Sequence, residues 1–312
     1  MSLALNGLIP ATITPFDKYG RLDEAALREY VRWLLGFPGL TALAVNMDTS
    51  EGPHLTREER RHILEVYRQE VTDRLPLLAG IPGPSTAAAV EAARDAREAG
   101  ASGLVIFPTP AFLGEPLPPE VPYQYHAAIA RAVSLPLVLF QLQPALGGVI
   151  FSRETLLKLI EIDSVVALKE ASFDALRFAE TARILREAPR PIALLTGNGN
   201  FILTSILLGA DGVLSGFGTI AIAEQVEMIQ RAQTGDILGS RTIYEGTVRP
   251  LAEAIYAPPL RNYRVRLKEA LCELGVLPSA VVRPPLLPLS DEERATTRQA
   301  VRAADLQLVA VR

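Results

Sequence analysis

Lys169 closes the apolar run Val165-Val166-Ala167-Leu168, an unusual place for a cation. Only four of the 31 basic residues are lysine (Lys18, Lys158, Lys169 and Lys268), so a lysine kept in a strand-like stretch calls for a reason. An ammonium at such a position is partly desolvated, which lowers its pKa. A neutral amine there attacks a ketone and gives an iminium, an electron sink for breaking a C–C or C–O bond. The plainer reading is a strand-end lysine that reaches solvent or pairs with Glu170. Asp48 also follows an apolar run, with the chemistry of a general acid or base or, equally, of a loop cap. Thr49 and Ser50 offer hydroxyl and backbone donors to a substrate carboxylate, and Gln141 and Gln143 offer neutral amides to hydroxyl groups. Thr196 and Gly218 follow two later runs and complete the candidate binding set; ordinary hydrogen bonding at loops and rims is the alternative for these residues.

Other chemistries are poorly served. His54, His62 and His126 are scattered over a loop and helical stretches, so neither a His-built metal centre nor a Ser-His-Asp triad is expected. The single cysteine, Cys272, excludes an internal disulfide framework and a Cys-cluster metal site. Tyr123, Tyr125 and Trp33 sit in helical stretches and read as packing.

The elements that must position these residues repeat regularly. Apolar runs occur at Leu8–Ile13, Ala42–Val45, Leu77–Ile81, Gly103–Phe107, Leu137–Phe140, Val165–Leu168, Ile192–Leu195 and Gly212–Leu214. Amphipathic stretches lie between them, among others at Asp23–Leu35, Thr56–Val71, Thr86–Ala99, Arg153–Ile162 and Ala175–Leu185. Thr56-Arg57-Glu58-Glu59 and Ser152-Arg153-Glu154 read as capped helix starts. Eight strand–helix units predict an α/β fold with a parallel sheet, and eight is the number that closes a (β/α)8 barrel. A doubly wound open sheet would need a Gly-rich loop after an early strand. Gly197-Asn198-Gly199-Asn200 comes too late and lacks the third glycine. Helical patterns at Gln225–Arg231, Ser240–Ile255, Asn262–Leu274 and Asp291–Ala304 follow the eighth run. The expectation is a TIM barrel over residues 1–222 and a C-terminal helical extension, 223–312, packed on it as one structural unit.

With 49% hydrophobic residues, the 312-residue chain can bury a large core. A net charge of −4 argues against nucleic acid or an anionic membrane surface as the main partner. No apolar run approaches about 18 residues, the length of a membrane span. Met1–Leu5 lacks the basic region and apolar core of a signal peptide. Cytoplasm is the expected compartment.

Several motifs together are similar to the dihydrodipicolinate synthase / N-acetylneuraminate lyase family of class I aldolases. They are Gly7-Leu8-Ile9-Pro10-Ala11, Thr14-Pro15-Phe16, Glu51, Leu55-Thr56-Arg57-Glu58-Glu59-Arg60 and Ala79-Gly80-Ile81, followed by Leu168-Lys169-Glu170-Ala171-Ser172, Leu208–Val213 and Val282-Arg283-Pro284-Pro285-Leu286. The resemblance spans nearly the whole chain. It implies the barrel, an imine on Lys169 as the only cofactor-like group, a small 2-keto acid as substrate, and a homo-oligomer, dimer or tetramer. The family's Gly-Thr-Thr-Gly-Glu loop, which binds the keto-acid carboxylate, falls on Met47-Asp48-Thr49-Ser50-Glu51. Its proton-relaying tyrosine falls on Phe140, and its paired tyrosines, one of which reaches a neighbouring subunit, fall near Pro110-Ala111-Phe112. The synthase arginine that holds the aldehyde's carboxylate falls on Leu146. Phe140-Gln141-Leu142-Gln143-Pro144-Ala145 and Ser50-Glu51 resemble instead the 2-keto-3-deoxy sugar-acid dehydratases, including L-2-keto-3-deoxyarabonate dehydratase. The leading expectation is therefore a Schiff-base lyase, dehydratase or aldolase, with Lys169 forming the imine and Asp48 standing in for the absent tyrosine. Dihydrodipicolinate synthase itself and a non-catalytic 2-keto-acid binding protein are the alternatives.

Overall fold

The structure, a computed structural model, describes Leu3 and residues 5–306. Strands β1 (Leu8–Pro10), β2 (Leu43–Val45), β3 (Leu77–Ile81), β4 (Gly103–Ile106), β5 (Leu137–Leu142), β6 (Val165–Ala171), β7 (Ala193–Thr196) and β8 (Gly212–Ser215) coincide with the eight apolar runs. All neighbours pair in parallel, in the order β1-β8-β7-β6-β5-β4-β3-β2. Parallel bridges Leu8–Leu40 and Ala11–Ala44 join the two ends, as does the Thr12 N–H bond to Ala44 O at 2.9 Å. The result is a (β/α)8 barrel. Its strands are almost wholly buried because both of their faces are covered, which is why they read as apolar runs rather than as alternating patterns.

One face of each strand fills the lumen. Ile9, Leu78, Val105, Val138, Phe140 and Leu214 belong to that inner cluster. The other face packs on the helical ring: α1 (Glu24–Leu34), α2 (Arg57–Val71), α3 (Thr86–Glu98), α4 (Glu120–Ala132), α5 (Arg153–Ile160), α6 (Ala175–Arg186), α7 (Ile202–Leu207) and α8 (Ile222–Gln233). Thr56 opens α2 with a full capping box: its hydroxyl accepts from Glu59 N–H at 3.2 Å, and the Glu59 carboxylate accepts from Thr56 N–H at 2.9 Å. Such a cap contributes about 1 kcal/mol. The Ser152 hydroxyl caps α5 by accepting from Thr155 N–H at 3.1 Å. The helix starting at Ile222 lies beside α7 and against β1, so the helical ring closes with it and the extension begins after Gln233.

Four helices follow: α9 (Ile237–Ile243), α10 (Arg249–Ile255), α11 (Tyr263–Glu273) and α12 (Asp291–Ala303). The pattern at Ser240–Ile255 predicts one continuous helix. Instead a π turn at Tyr244–Val248 separates α9 from α10. Pro250, in the first turn of α10, has no N–H to continue the regular ladder, and the wider turn absorbs the mismatch. No helix among the described residues is long and apolar enough to cross a membrane.

Candidate active site

The barrel has two openings with cavities. The larger, about 870 Å³, lies at the N-terminal ends of the strands, beside Asn6, Pro136, Ala193 and Asp211. It reaches none of the candidate side chains. At the opposite end lie one of about 490 Å³ beside Gln143, Ser172 and Asp174 and one of about 380 Å³ bounded by Asp48, Pro82, Phe107, Pro108 and Leu142, which follow or end strands β2 to β5. Barrel chemistry is placed at this C-terminal face.

Lys169 lies in the lumen at that face, 6% exposed. The register sets Phe140 on one side of it and Leu195 on the other. Its Nζ stands 4.1 Å from the centre of the Phe140 ring, which Phe107 meets edge-on at 5.2 Å. Gly197 leaves room for the butyl chain: a Cβ there would come within 2.9 Å of Lys169 Cε. Burial among these apolar groups pushes the ammonium down to about 8, against the opposing pull of the Asp48 carboxylate. Glu170, next along the strand, turns to the outer face. It accepts from Ser172 N–H at 3.1 Å and from the Asn198 amide at 2.6 Å, so it is not the lysine's counter-ion.

The β2 loop brings Asp48 and Thr49 to the same mouth. It turns sharply, with Asn46 and Glu51 both at φ 58°, and Gly52 N–H closes on Met47 O at 3.0 Å. Thr49 packs on Gly216, where a Cβ would sit 2.3 Å from its hydroxyl oxygen. Ser50 directs its hydroxyl to Met47 O at 2.9 Å and holds the turn itself. Asp48 is not free: Arg264 donates to both carboxylate oxygens at 2.6 Å and to the backbone oxygen at 3.1 Å, and the Tyr263 hydroxyl donates to Oδ2. Burial and then the facing Asp48 charge hold the Tyr263 phenol well above its ordinary 10.

Three of the expected binding residues do not join this group. The amide of Gln141 donates to Thr181 Oγ1 at 3.3 Å and accepts from Phe151 N–H at 2.9 Å, on the helix side of the sheet. Thr196 donates to Ser205 on α7 at 3.0 Å. Gly218 packs over β1, where a Cβ would meet Leu8 at 3.1 Å; the glycine against Thr49 is Gly216. Among the described residues no group of three or more His, Cys, Asp and Glu could hold a metal ion.

The model of the dihydrodipicolinate synthetase family matches residues 4–304. This chain belongs to that family. It is a class I, Schiff-base-forming lyase by membership. The 4-hydroxy-tetrahydrodipicolinate synthase of Moorella thermoacetica is 31% identical over 96% of this chain and 98% of its own. The enzyme of that name from Thermomicrobium roseum is 33% identical over 93% and 91%. The chloride-inhibited dihydrodipicolinate synthase of Acinetobacter baumannii, solved with pyruvate, superposes with a TM-score of 0.85 at 28% identity over 97% of this chain and all of that one.

The structure places the three residues at which the motif resemblance breaks down. Phe140 stands beside Lys169, and its ring carries no proton. Leu146 lines the cavity where an arginine was expected. Phe112 is buried in its own subunit, edge-on to Tyr125 at 5.4 Å and stacked on His126 at 6.1 Å, so the β4 loop turns inward. Tyr256, Tyr263 and Arg264, which the sequence did not single out, roof the site from the extension. Tyr256 stacks on Tyr263 at 5.7 Å and meets Phe173 at 5.3 Å. Their only sequence signal is an aromatic pair flanking a short Pro-rich segment, which is not specific.

Proposed function

We propose that the protein forms an imine between Lys169 and the keto carbon of a 2-keto-3-deoxy sugar acid, then eliminates a hydroxyl or cleaves the aldol bond. The observation that carries the reading is Lys169 itself: a lumen lysine, 6% exposed, brought down to about 8 by burial. Thr49 and the N–H groups of the β2 loop are the carboxylate site, and no cofactor beyond the lysine imine is invoked. The tail of the substrate enters the cavity between Pro82, Pro108 and Leu146. A neutral, hydroxylated tail needs no cationic clamp, which agrees with leucine rather than arginine at 146. The pyruvate held by the A. baumannii relative supports a pyruvate-like head group.

The second reading, dihydrodipicolinate synthase, is favoured by the names of the relatives. Leu146 weighs against it, because a bidentate arginine–carboxylate contact has no apolar substitute. Incubation with pyruvate and with a panel of 2-keto-3-deoxy sugar acids, followed by borohydride reduction and peptide mass mapping, tests the first reading. The expected adduct is on Lys169 and is absent from Lys169→Ala. An adduct in Lys169→Ala sinks the imine assignment. Rapid pyruvate consumption that depends on aspartate semialdehyde, with no turnover of any sugar acid, favours the synthase. The small-molecule substrate is the principal partner; copies of the chain associate with one another, with the exposed Leu113 and Leu176 available for contact.

A further inference from the structure

The geometry points to Tyr263 as a catalytic residue: with Asp48, and supplied by the same chain, it forms the proton relay that Phe140 cannot provide. This assignment rests on the imine chemistry proposed for Lys169. Tyr263 opens α11 and is buried, with its hydroxyl on Asp48 Oδ2 and its ring flat on Tyr256. Tyr256 in turn packs against Phe173, just beyond the end of β6, and against Gly199, beyond the end of β7; a Cβ at Gly199 would lie 2.1 Å from its ring. The tyrosine pair thus covers the mouth above the strand that carries Lys169. Arg264, next in sequence, holds Asp48 by both oxygens and balances its charge. The Asp48 carboxylate is thus ion-paired in a buried setting and faces a phenol that retains its proton.

Such a pair moves protons without forming a phenolate. Lys169 reacts as the neutral amine, its ammonium having released one proton to solvent. The amine adds to the keto carbon: the N–C bond forms and the carbonyl π electrons move to oxygen. A proton shifts from nitrogen to that oxygen through the Tyr263 hydroxyl. Asp48 takes up one proton from solvent, replacing the one released, and delivers it through Tyr263 to the new hydroxyl. The C–O bond breaks, water leaves and the iminium remains. On loss of a C3 proton to the pair, the C–H electrons form the C2–C3 double bond, the C=N π electrons move to nitrogen, and the enamine results. The protons balance: the leaving water carries one from the amine and one from Asp48, and the amine's other proton stays on the iminium.

Pyruvate is the probe. Above the slow background of spontaneous enolisation, its methyl protons exchange with deuterium oxide through the enamine, and proton NMR follows the loss of their signal. Borohydride trapping reports the imine separately. Tyr263→Phe keeps the ring stacked on Tyr256 and removes the hydroxyl. It is expected to melt near the wild-type temperature, to yield the Lys169 adduct on long incubation, and to exchange the methyl protons at least ~100-fold more slowly. Asp48→Asn, nearly isosteric, is expected to slow exchange similarly and serves if Tyr263→Phe does not fold. Exchange at the wild-type rate in a folded Tyr263→Phe or Asp48→Asn protein overturns the relay. Failure of the wild-type protein to give any Lys169 adduct overturns instead the imine reading on which the relay depends.

Discussion

At the scale of single residues, a buried lysine has two measurable consequences. With a pKa of about 8, on the order of a tenth of Lys169 is neutral at pH 7, against well under a thousandth for an ordinary lysine. The rate of imine trapping by borohydride should therefore climb about tenfold per pH unit below 8 and level off above it. A rate flat between pH 6 and 9 would rule out the amine's ionisation as the controlling step. Stability must move the other way. The unfolded chain binds a proton at this lysine up to about 10.5 and the folded chain only to about 8, so burial of the ammonium costs the native state about 3 kcal/mol at pH 7. That cost is complete below pH 8, shrinks as pH rises towards 10.5 and is then gone. Lys169→Met should accordingly be inactive yet more stable than wild type by up to about 3 kcal/mol in urea at pH 7, the gap narrowing with rising pH. A Lys169→Met protein less stable than wild type at pH 7 would contradict the desolvation argument.

The same scale shows why some candidates were legible and others were not. Lys169 was conspicuous because a lysine is costly in an apolar strand. Gln141 and Thr196 lie at strand ends, as expected, but on the helix side of the sheet. Phe140 and Leu195 point into the lumen, so the residues after them must point at the helices, since side chains alternate along a strand. A one-residue ambiguity in where the lumen face falls exchanges the two sets, and short apolar runs carry no alternation to resolve it.

Between elements, the extension is fastened to the β2 loop by ionic contacts. Lys268 on α11 and Glu51 are both wholly buried, with Nζ 2.5 Å from Oε1 and 2.7 Å from Val281 O. The other oxygen of Glu51 accepts from Arg283 N–H at 2.8 Å, while the Arg283 guanidinium grips Glu59, the capping residue of α2, at 2.6 Å. The Phe16 ring lies beneath both cations, at 4.2 and 4.4 Å. These contacts fix Glu51 in its left-handed conformation, which costs about 1–2 kcal/mol on its own, and so fix the adjoining Asp48. Removing one partner leaves a buried charge. Lys268→Met should destabilise the protein by about 3–5 kcal/mol in urea unfolding, and adding Glu51→Gln should recover much of that loss. If the double variant is as unstable as the single one, the ion pair is not what the loop depends on. Strand and helix positions were readable from pattern and caps. The pairing of Asp48 with Tyr263 and Arg264 was not, because the partners lie 215 and 216 residues apart and meet only when α11 docks.

For the molecule as a whole, the decisive point is that the proposed relay is drawn from one chain. Asp48 and Thr49 arrive on the β2 loop, and Tyr263 and Arg264 arrive on α11. The β4 loop, expected from the family to send a tyrosine into a neighbour, instead buries Phe112 beside Tyr125 and His126, whose imidazole is pushed down to about 4 by burial. Reversing that loop would strip Phe112 of a buried site, a loss of about 1.5–3 kcal/mol for the ring alone. Association of copies, where it occurs, therefore adds no side chain that the proposed relay requires. Turnover per chain should stay constant as the protein is diluted through any dissociation that light scattering detects. A variant that weakens self-association, for instance with charges at the exposed Leu113 and Leu176, should keep wild-type methyl exchange of pyruvate. A fall in exchange per chain that tracks the fall in mass would mean that a neighbouring copy completes the site, and that Tyr263 is not sufficient to replace the relay lost at Phe140.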